Sequence, residues 1–515
     1  MKKKAAFFLL VILVLAAVLR FWGLSSRGLF SHDEGYYFLG AKTIAAGVEY
    51  AKLKVFNAEN LPSISDFLRQ KGGDYPVGSK YGFYILSTLS MVFFGLKDYA
   101  VLYTSAFFGA LSVWLVYLIV KGVFDRNTAL LSAFLLAVSP YHIIYSRSAY
   151  ANASAAFFIL CGIYFYLKSV DSEKTVFMVF SGLCLGYAVT CHPSQLWVAA
   201  IFLIDLLFFR KIKRLIVLAS SFMVPVLIFQ IFSLFIISAA RAAAWKDPGQ
   251  INVLIQPYFS QFFIQAKSAG GARFNFSEAL FYVRLLLKSE GALILLFYVL
   301  GLSGAALMFI KKQLSYKKAL VTFLGLFLIV LWTLYNNRSA RTLLPVLPFI
   351  LITVAAGLSK INRYLAIFII ASLLWINSGA IASCIKTRSA YPQAVAFIKQ
   401  SGSPRHFTDT TTLSASYMPD NYKSVYVPEQ VSISKAKEMV SSHGFRYLIL
   451  SYGRYSVHNS ELINFVNKSK IKPVLKIESR PFFLLLSDDT NPDSFRLTQG
   501  IDSVDVYDIR ELLKI

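Results

Sequence analysis

Eleven apolar segments, short basic clusters between them, and a shift to soluble composition after residue 391 predict an α-helical polytopic membrane protein of about 11 transmembrane helices, with a small C-terminal α/β domain. Of 515 residues, 56% are hydrophobic, 16% aromatic and only 15% charged, more apolar surface than one soluble core can bury. A net charge of +25 would suit a nucleic-acid binder, but the basic residues form no single stripe and lie between apolar runs, as topology signals do. Nucleic acid is therefore not an expected partner.

A bilayer core about 30 Å thick needs about 20 helical residues. Spans are placed at 5–24, 99–120, 128–145, 153–169, 175–190, 194–209, 215–238, 291–310, 319–335, 343–358 and 364–386. The first follows Met-Lys-Lys-Lys and has no small-residue cleavage site after it, so it reads as an uncleaved helix with a cytoplasmic start. Segment 81–96 is uncharged but only about 24 Å long as a helix. Counting it as a span would put the basic runs 210–214 and 311–318 outside; laying it in the interface puts them, with 121–127 and 359–363, in the cytoplasm. The interfacial reading follows. The outer face then collects the first loop (25–98), the tip near 145–152, the 191–194 turn, the 239–290 loop, the 336–341 turn and everything beyond about 387.

Residues 1–388 are expected to form the membrane part and 389–515 an extracytoplasmic α/β domain. Its strands are predicted at 423–427, 446–451, 473–477 and 482–487, with helical patterns at 394–400 and 434–440. Cys161, Cys184, Cys191 and Cys384 lie in or beside spans without CxxC spacing, which gives no support for a disulfide scaffold or a metal site.

The chemistry-bearing residues cluster at the outer side. Asp33 and Glu34, in SHDEGYY at 31–37, emerge just past the first span, flanked by His32 and Tyr36. On a helix the two carboxylates point about 100° apart, so one faces a given ligand; alternatively both serve the dipole of the helix that follows. Arg147, in SPYHIIYSRSAYAN at 139–152, can grip a phosphate with two hydrogen bonds or snorkel from a helix end. Arg338 and Arg341, in NNRSARTLLPVLP at 336–348, put positive charge on a short outer turn against the usual bias, and an anionic lipid would compensate it. Lys80 stands at the mouth of the interfacial helix, and His192 is a lone outer histidine. The 239–290 loop interleaves Arg241, Lys246, Lys267, Arg273 and Arg284 with aromatic residues, as a headgroup wrap or an interfacial anchor would.

In their order and spacing, the DE pair after the first span, the interfacial helix ending in FFG, the SPYHIIYSR run and the RTLLPVLP segment resemble the GT-C superfamily of glycosyltransferases that use polyprenyl-phosphate sugars. The likeness is to the protein O-mannosyltransferases and the lipid A aminoarabinose transferases, over residues 1–385. It implies Asp33 as catalytic base with Glu34 as its motif partner, and Arg147 and Arg341 near the donor phosphate; by position and charge, Lys80 and Arg338 are further candidate cations for that phosphate, and His32, Tyr36, Asn152 and His192 are candidate acceptor or supporting residues. Relatives usually carry an acidic residue where this chain has Asn152. The implied reaction moves a sugar from a polyprenyl-phosphate donor to a hydroxyl of a protein, lipid or glycan, with inversion, outside the cytoplasm at a bacterial inner membrane. No metal is obligatory in it, although Asp33 and Glu34 leave room for a divalent ion. The rival reading, a transporter or flippase for a lipid-linked or anionic solute, calls for ionisable residues midway along several spans, and the predicted spans are nearly free of them.

Overall fold

The computed structural model describes residues 2–56, 61–63, 66–67, 70, 80–172, 174–243, 280–334, 340–403, 405–418, 423–426, 431–451, 461–469, 471–479 and 502–513. Arg338, most of the 239–290 loop and the strand expected at 482–487 lie outside the described residues.

Each of the eleven expected spans contains a helix. Among the described residues, seven helices are long and apolar enough to cross a bilayer, or eight if Arg126–Val138 and Pro140–Ser146, bent by 60° at their junction, count as one. Thr175–Cys191, Pro193–Phe208 and Leu347–Leu358 are apolar but shorter. The bend has a local cause: Pro140 has no amide hydrogen to donate and forces Ser139 into extended backbone, while Ser139 Oγ accepts from the amide of His142 at 3.1 Å and starts a new helix. Tyr81–Phe94 is a 14-residue helix, about 21 Å long and too short to span, with Tyr81, Phe83 and Tyr84 buried.

Close helix packing uses small residues. Gly182 and Gly186, four apart on Thr175–Cys191, face Ile212–Ala243, where an added Cβ would collide with Ser221 and with the Phe222 carbonyl. Without hydrophobic drive between helices in lipid, such backbone approach is what gains dispersion energy.

The C-terminal part forms a five-stranded mixed sheet in the order β2-β1-β3-β5-β4. Its strands are β1 (Arg405–Thr408), β2 (Lys423–Tyr426), β3 (Tyr447–Leu450), β4 (Leu475–Ser479) and β5 (Asp502–Asp508). β1 pairs parallel with β2 and β3; β5 pairs antiparallel with β3 and β4. On one face, Phe407, Leu448 and Leu450 pack with helices Ile433–His443 and Glu461–Lys468 through Ala436, Val440, Leu462 and Val466. On the other, Tyr447, Ile449, Val504 and Val506 join Ala394, Val395 and Ile398 of helix Tyr391–Gln400 in a core continuous with the membrane helices. The short helix Thr411–Tyr417 touches the acidic loop itself: Thr412 Oγ1 donates to the His32 carbonyl at 2.8 Å, and Tyr417 Oη accepts from the Leu29 amide at 2.8 Å. Gly35 permits this approach, since a Cβ there would lie 2.8 Å from the Thr412 backbone.

Candidate active site

Three separate stretches bring opposite charges together. Asp33 lies in the first turn of helix His32–Val55, whose start is set by Ser31, with Oγ accepting from the Glu34 amide at 3.1 Å. Lys80 precedes helix Tyr81–Phe94, and Arg341 sits in the 3₁₀ turn Ala340–Leu343. Arg341 Nη1 is ion-paired with Asp33 Oδ2, and the Lys80 ammonium acts on the same carboxylate. Aromatic rings wall the cluster. The Arg341 guanidinium lies 4.8 Å from the Tyr150 ring centre, and Lys80 Nζ lies 4.7 Å from that of Tyr37, whose hydroxyl it also meets. Tyr37 and Tyr150 pack edge to face at 6.2 Å.

The turn carrying Arg341 is tied down from three sides. Tyr141 Oη donates to the Ala340 carbonyl, Asn152 Nδ2 to the Arg341 carbonyl at 3.3 Å, and Tyr282 Oη meets Thr342 Oγ1 at 2.6 Å. Asn152 is fully buried and thus holds the backbone of the arginine that faces Asp33. His192, in the turn after Thr175–Cys191, pairs Nδ1 with Ser194 Oγ at 2.8 Å. Burial, then the charges of Lys80 and Arg341, hold its imidazole neutral by lowering its proton affinity. Tyr36 stacks edge-on with Tyr37 at 6.2 Å, and His32 is exposed beside Asp33.

The electrostatics separate base from acid. Burial alone would raise the Asp33 carboxyl, but Arg341 and Lys80 outweigh it and hold it well below the ordinary carboxylate range. Burial pulls the Lys80 ammonium down to about 8, with Arg341 adding and Asp33 opposing. Burial raises the hydroxyls of Tyr37 and Tyr150, so both stay protonated donors. Asp33 keeps 36% of its side chain exposed, so the charged cluster is open to a ligand.

Two expected site residues do other work. Glu34 is fully buried; Arg27 Nη2 lies 2.9 Å from its Oε1, and its oxygens accept from the amides of Phe30 at 2.7 Å and Ala149 at 2.9 Å. Its lone pairs are thus spent on folding the loop, and it does not share a cation with Asp33. Arg147, expected at the donor phosphate, is 1% exposed and caps two helix ends. It donates to the carbonyls of Leu19, Arg20 and Trp22 at 3.0–3.3 Å and to those of Cys384 and Ile385 at 3.1 and 3.4 Å. A helix leaves its last four carbonyls unpartnered, and those of Leu19, Arg20, Cys384 and Ile385 are such groups. Among the described residues no three His, Cys, Asp or Glu side chains converge as metal ligands. Tyr37 and Tyr150 were not expected; Tyr37 follows Asp33 by four residues and so shares its helix face, the signal that would have found it.

Residues 10–253 match the profile of the dolichyl-phosphate-mannose-protein mannosyltransferase family, a stretch that holds Asp33, Lys80, Asn152 and His192 and ends before Arg341. The structure is similar to that of ArnT from Cupriavidus metallidurans bound to undecaprenyl phosphate, with a TM-score of 0.54 at 12% identity, over 82% of this chain and 76% of that one. This chain has the GT-C fold. The archaeal oligosaccharyltransferase AglB from Archaeoglobus fulgidus, in complex with an inhibitory peptide and a dolichol-phosphate, superposes on the same GT-C fold with a TM-score of 0.52 at 13% identity, over 88% of this chain and 70% of that one. In sequence, YkcB of Bacillus subtilis, a mannosyltransferase-like protein, is 25% identical over 112 residues, 22% of this chain and 16% of the relative. YycA of the same organism is 26% identical over 110 residues, also 16% of its length. The chain thus matches about a sixth of those two relatives.

Proposed function

We propose that this chain is a membrane glycosyltransferase that moves a sugar from a polyprenyl-phosphate carrier to an acceptor hydroxyl on the extracytoplasmic face of a bacterial inner membrane. The observation that carries this reading is the open cluster of one carboxylate, Asp33, with two cations, Arg341 and Lys80. Undecaprenyl phosphate in ArnT and dolichol-phosphate in AglB support a lipid-borne donor. The family match at residues 10–253 supports glycosyl transfer of the mannosyltransferase type.

The acceptor oxygen attacks the anomeric carbon, the bond from that carbon to the phosphate oxygen breaks, and the carrier leaves as a phosphate anion. Arg341 and Lys80 stabilise that anion, and the acceptor proton passes to Asp33. A single displacement inverts the anomeric centre. The site also couples donor binding to base strength. Without donor, Arg341 holds Asp33 ionised and weakly basic. An arriving phosphate competes for Arg341 and brings negative charge, which raises the proton affinity of Asp33 just when a hydroxyl must be deprotonated. An obligatory metal is not part of this reading.

Purified chain in liposomes, given polyprenyl-phosphate sugars, should release polyprenyl phosphate and label an acceptor. In sealed vesicles His32→Cys should react with an impermeant maleimide from the outer side. Donor left intact with hexosyl and pentosyl carriers alike overturns the activity, and labelling from the cytoplasmic side alone overturns the orientation.

A further inference from the structure

The end of the helix bundle remote from Asp33 carries a cavity. Helix Asp98–Val123 begins beside the acidic loop, where Asp98 Oδ2 accepts from Tyr417 Oη at 2.8 Å. Lys121 lies 23 residues further along the same helix, about 35 Å away at 1.5 Å per residue. There an open cavity of about 230 Å³ forms between Asp98–Val123, Asn152–Ser172 and Tyr316–Leu334. Its apolar lining is the half-buried Leu118 and Tyr164, backed by the buried Ile119, Val123 and Leu167.

Three ammonium groups belong to the same cavity. Lys317 is ion-paired with Asp171. Lys121 and Lys168 are exposed and meet no carboxylate among the described residues; each places Nζ 5.7 Å from the ring centre of a tyrosine four residues earlier, Tyr117 and Tyr164. Among the described lining residues Asp171 is the only carboxylate, and with three lysines they carry a surplus of two positive charges. One lysine at a helix end needs only water to snorkel into. Lysines from three helices around one apolar hollow make a receptor for an anion with a greasy body.

We propose that this cavity binds the phosphate of an anionic lipid headgroup from the leaflet opposite the Asp33 site, its glycerol and upper acyl chains lying against Leu118 and Tyr164. Basic pockets between transmembrane helices recognise lipid phosphates in this way. The apolar wall favours a lipid-borne phosphate over a soluble one.

The test uses the full chain in a neutral detergent, titrated with phosphatidylglycerol, phosphatidylcholine or inorganic phosphate and followed by melting temperature and native mass spectrometry. Phosphatidylglycerol should bind and stabilise, and the other two should do so far less. In the double variant Lys121→Gln/Lys168→Gln, phosphatidylglycerol should bind about 25-fold more weakly, on the order of fivefold per lysine. The melting temperature of that variant in detergent alone should not change, and Lys121→Arg/Lys168→Arg should bind like wild type. Equal binding of the two phospholipids, or an affinity in the Gln variant within twofold of wild type, overturns the site. Inorganic phosphate matching phosphatidylglycerol overturns its lipid source.

Discussion

Asp33 and Glu34 are consecutive in the chain and each meets an arginine, yet the two pairs live in different surroundings. Glu34 and Arg27 are 0% and 1% exposed, and two backbone amides complete the carboxylate's bonding. Asp33 and Arg341 come from segments 308 residues apart and stay 36% and 16% exposed. A buried, fully bonded pair shapes a loop and has no capacity left for a ligand. A half-open pair between distant segments can be split by an incoming phosphate. The difference comes from the 100° step between adjacent residues on a helix, which turns one carboxylate into the protein and the other toward the opening.

That contrast can be broken from either side. Glu34→Gln leaves Arg27 buried beside a neutral group, so unfolding should become easier by about 3–5 kcal/mol. Thermal melts in detergent would show it, and the fraction that stays folded should keep its activity. Arg341→Ala removes a charged partner of the phosphate, so donor affinity should fall about 10- to 150-fold, from a loss of about 1.5–3 kcal/mol. Donor titration by equilibrium binding on the folded variant reads this directly.

A pH profile sharpens the comparison further. Lys80, lowered to about 8 by burial and by Arg341, carries its charge below that pH and loses it as pH rises through it. Donor affinity should therefore decline above about pH 8, and Lys80→Arg should carry the plateau to higher pH. Asp33, held down by Arg341 and Lys80, stays ionised through neutral and mildly acidic pH, so kcat/KM should lose its acid limb only below about pH 4. The smallest effect is expected at Thr412→Val, which removes one hydrogen bond from the sheet domain to the His32 carbonyl and should cost about 1 kcal/mol of stability.

Much of this was legible in the sequence because bilayers impose a strong pattern. Long apolar runs give the helices, and the rarity of charge between them makes each outer cation conspicuous; Lys80 and Arg341 stand out as candidates that way, and Asp33 by its place after the first span. The sequence left open whether an arginine at a helix end faces a ligand or orphan carbonyls. Arg147 serves the carbonyls of two helices that end 365 residues apart, Phe21 and Lys386, a meeting that no local pattern records. Glu34 escaped for a similar reason, since its partners Arg27 and Ala149 become neighbours only when the loop closes. Strands β1 and β5 went unread because RHFT is short and polar and DSVDVYD alternates apolar residues with acids. The strands that were expected, near 423–427, 446–451 and 473–477, are the ones with denser apolar runs.

The most direct test of the account is single-turnover cleavage of a polyprenyl-phosphate sugar by Asp33→Asn, measured per folded molecule beside Glu34→Gln. The base assignment predicts a rate down by about 10² to 10⁴ in folded Asp33→Asn and a near-normal rate in folded Glu34→Gln. Wild-type cleavage by Asp33→Asn, or an equal loss in folded Glu34→Gln, would contradict it.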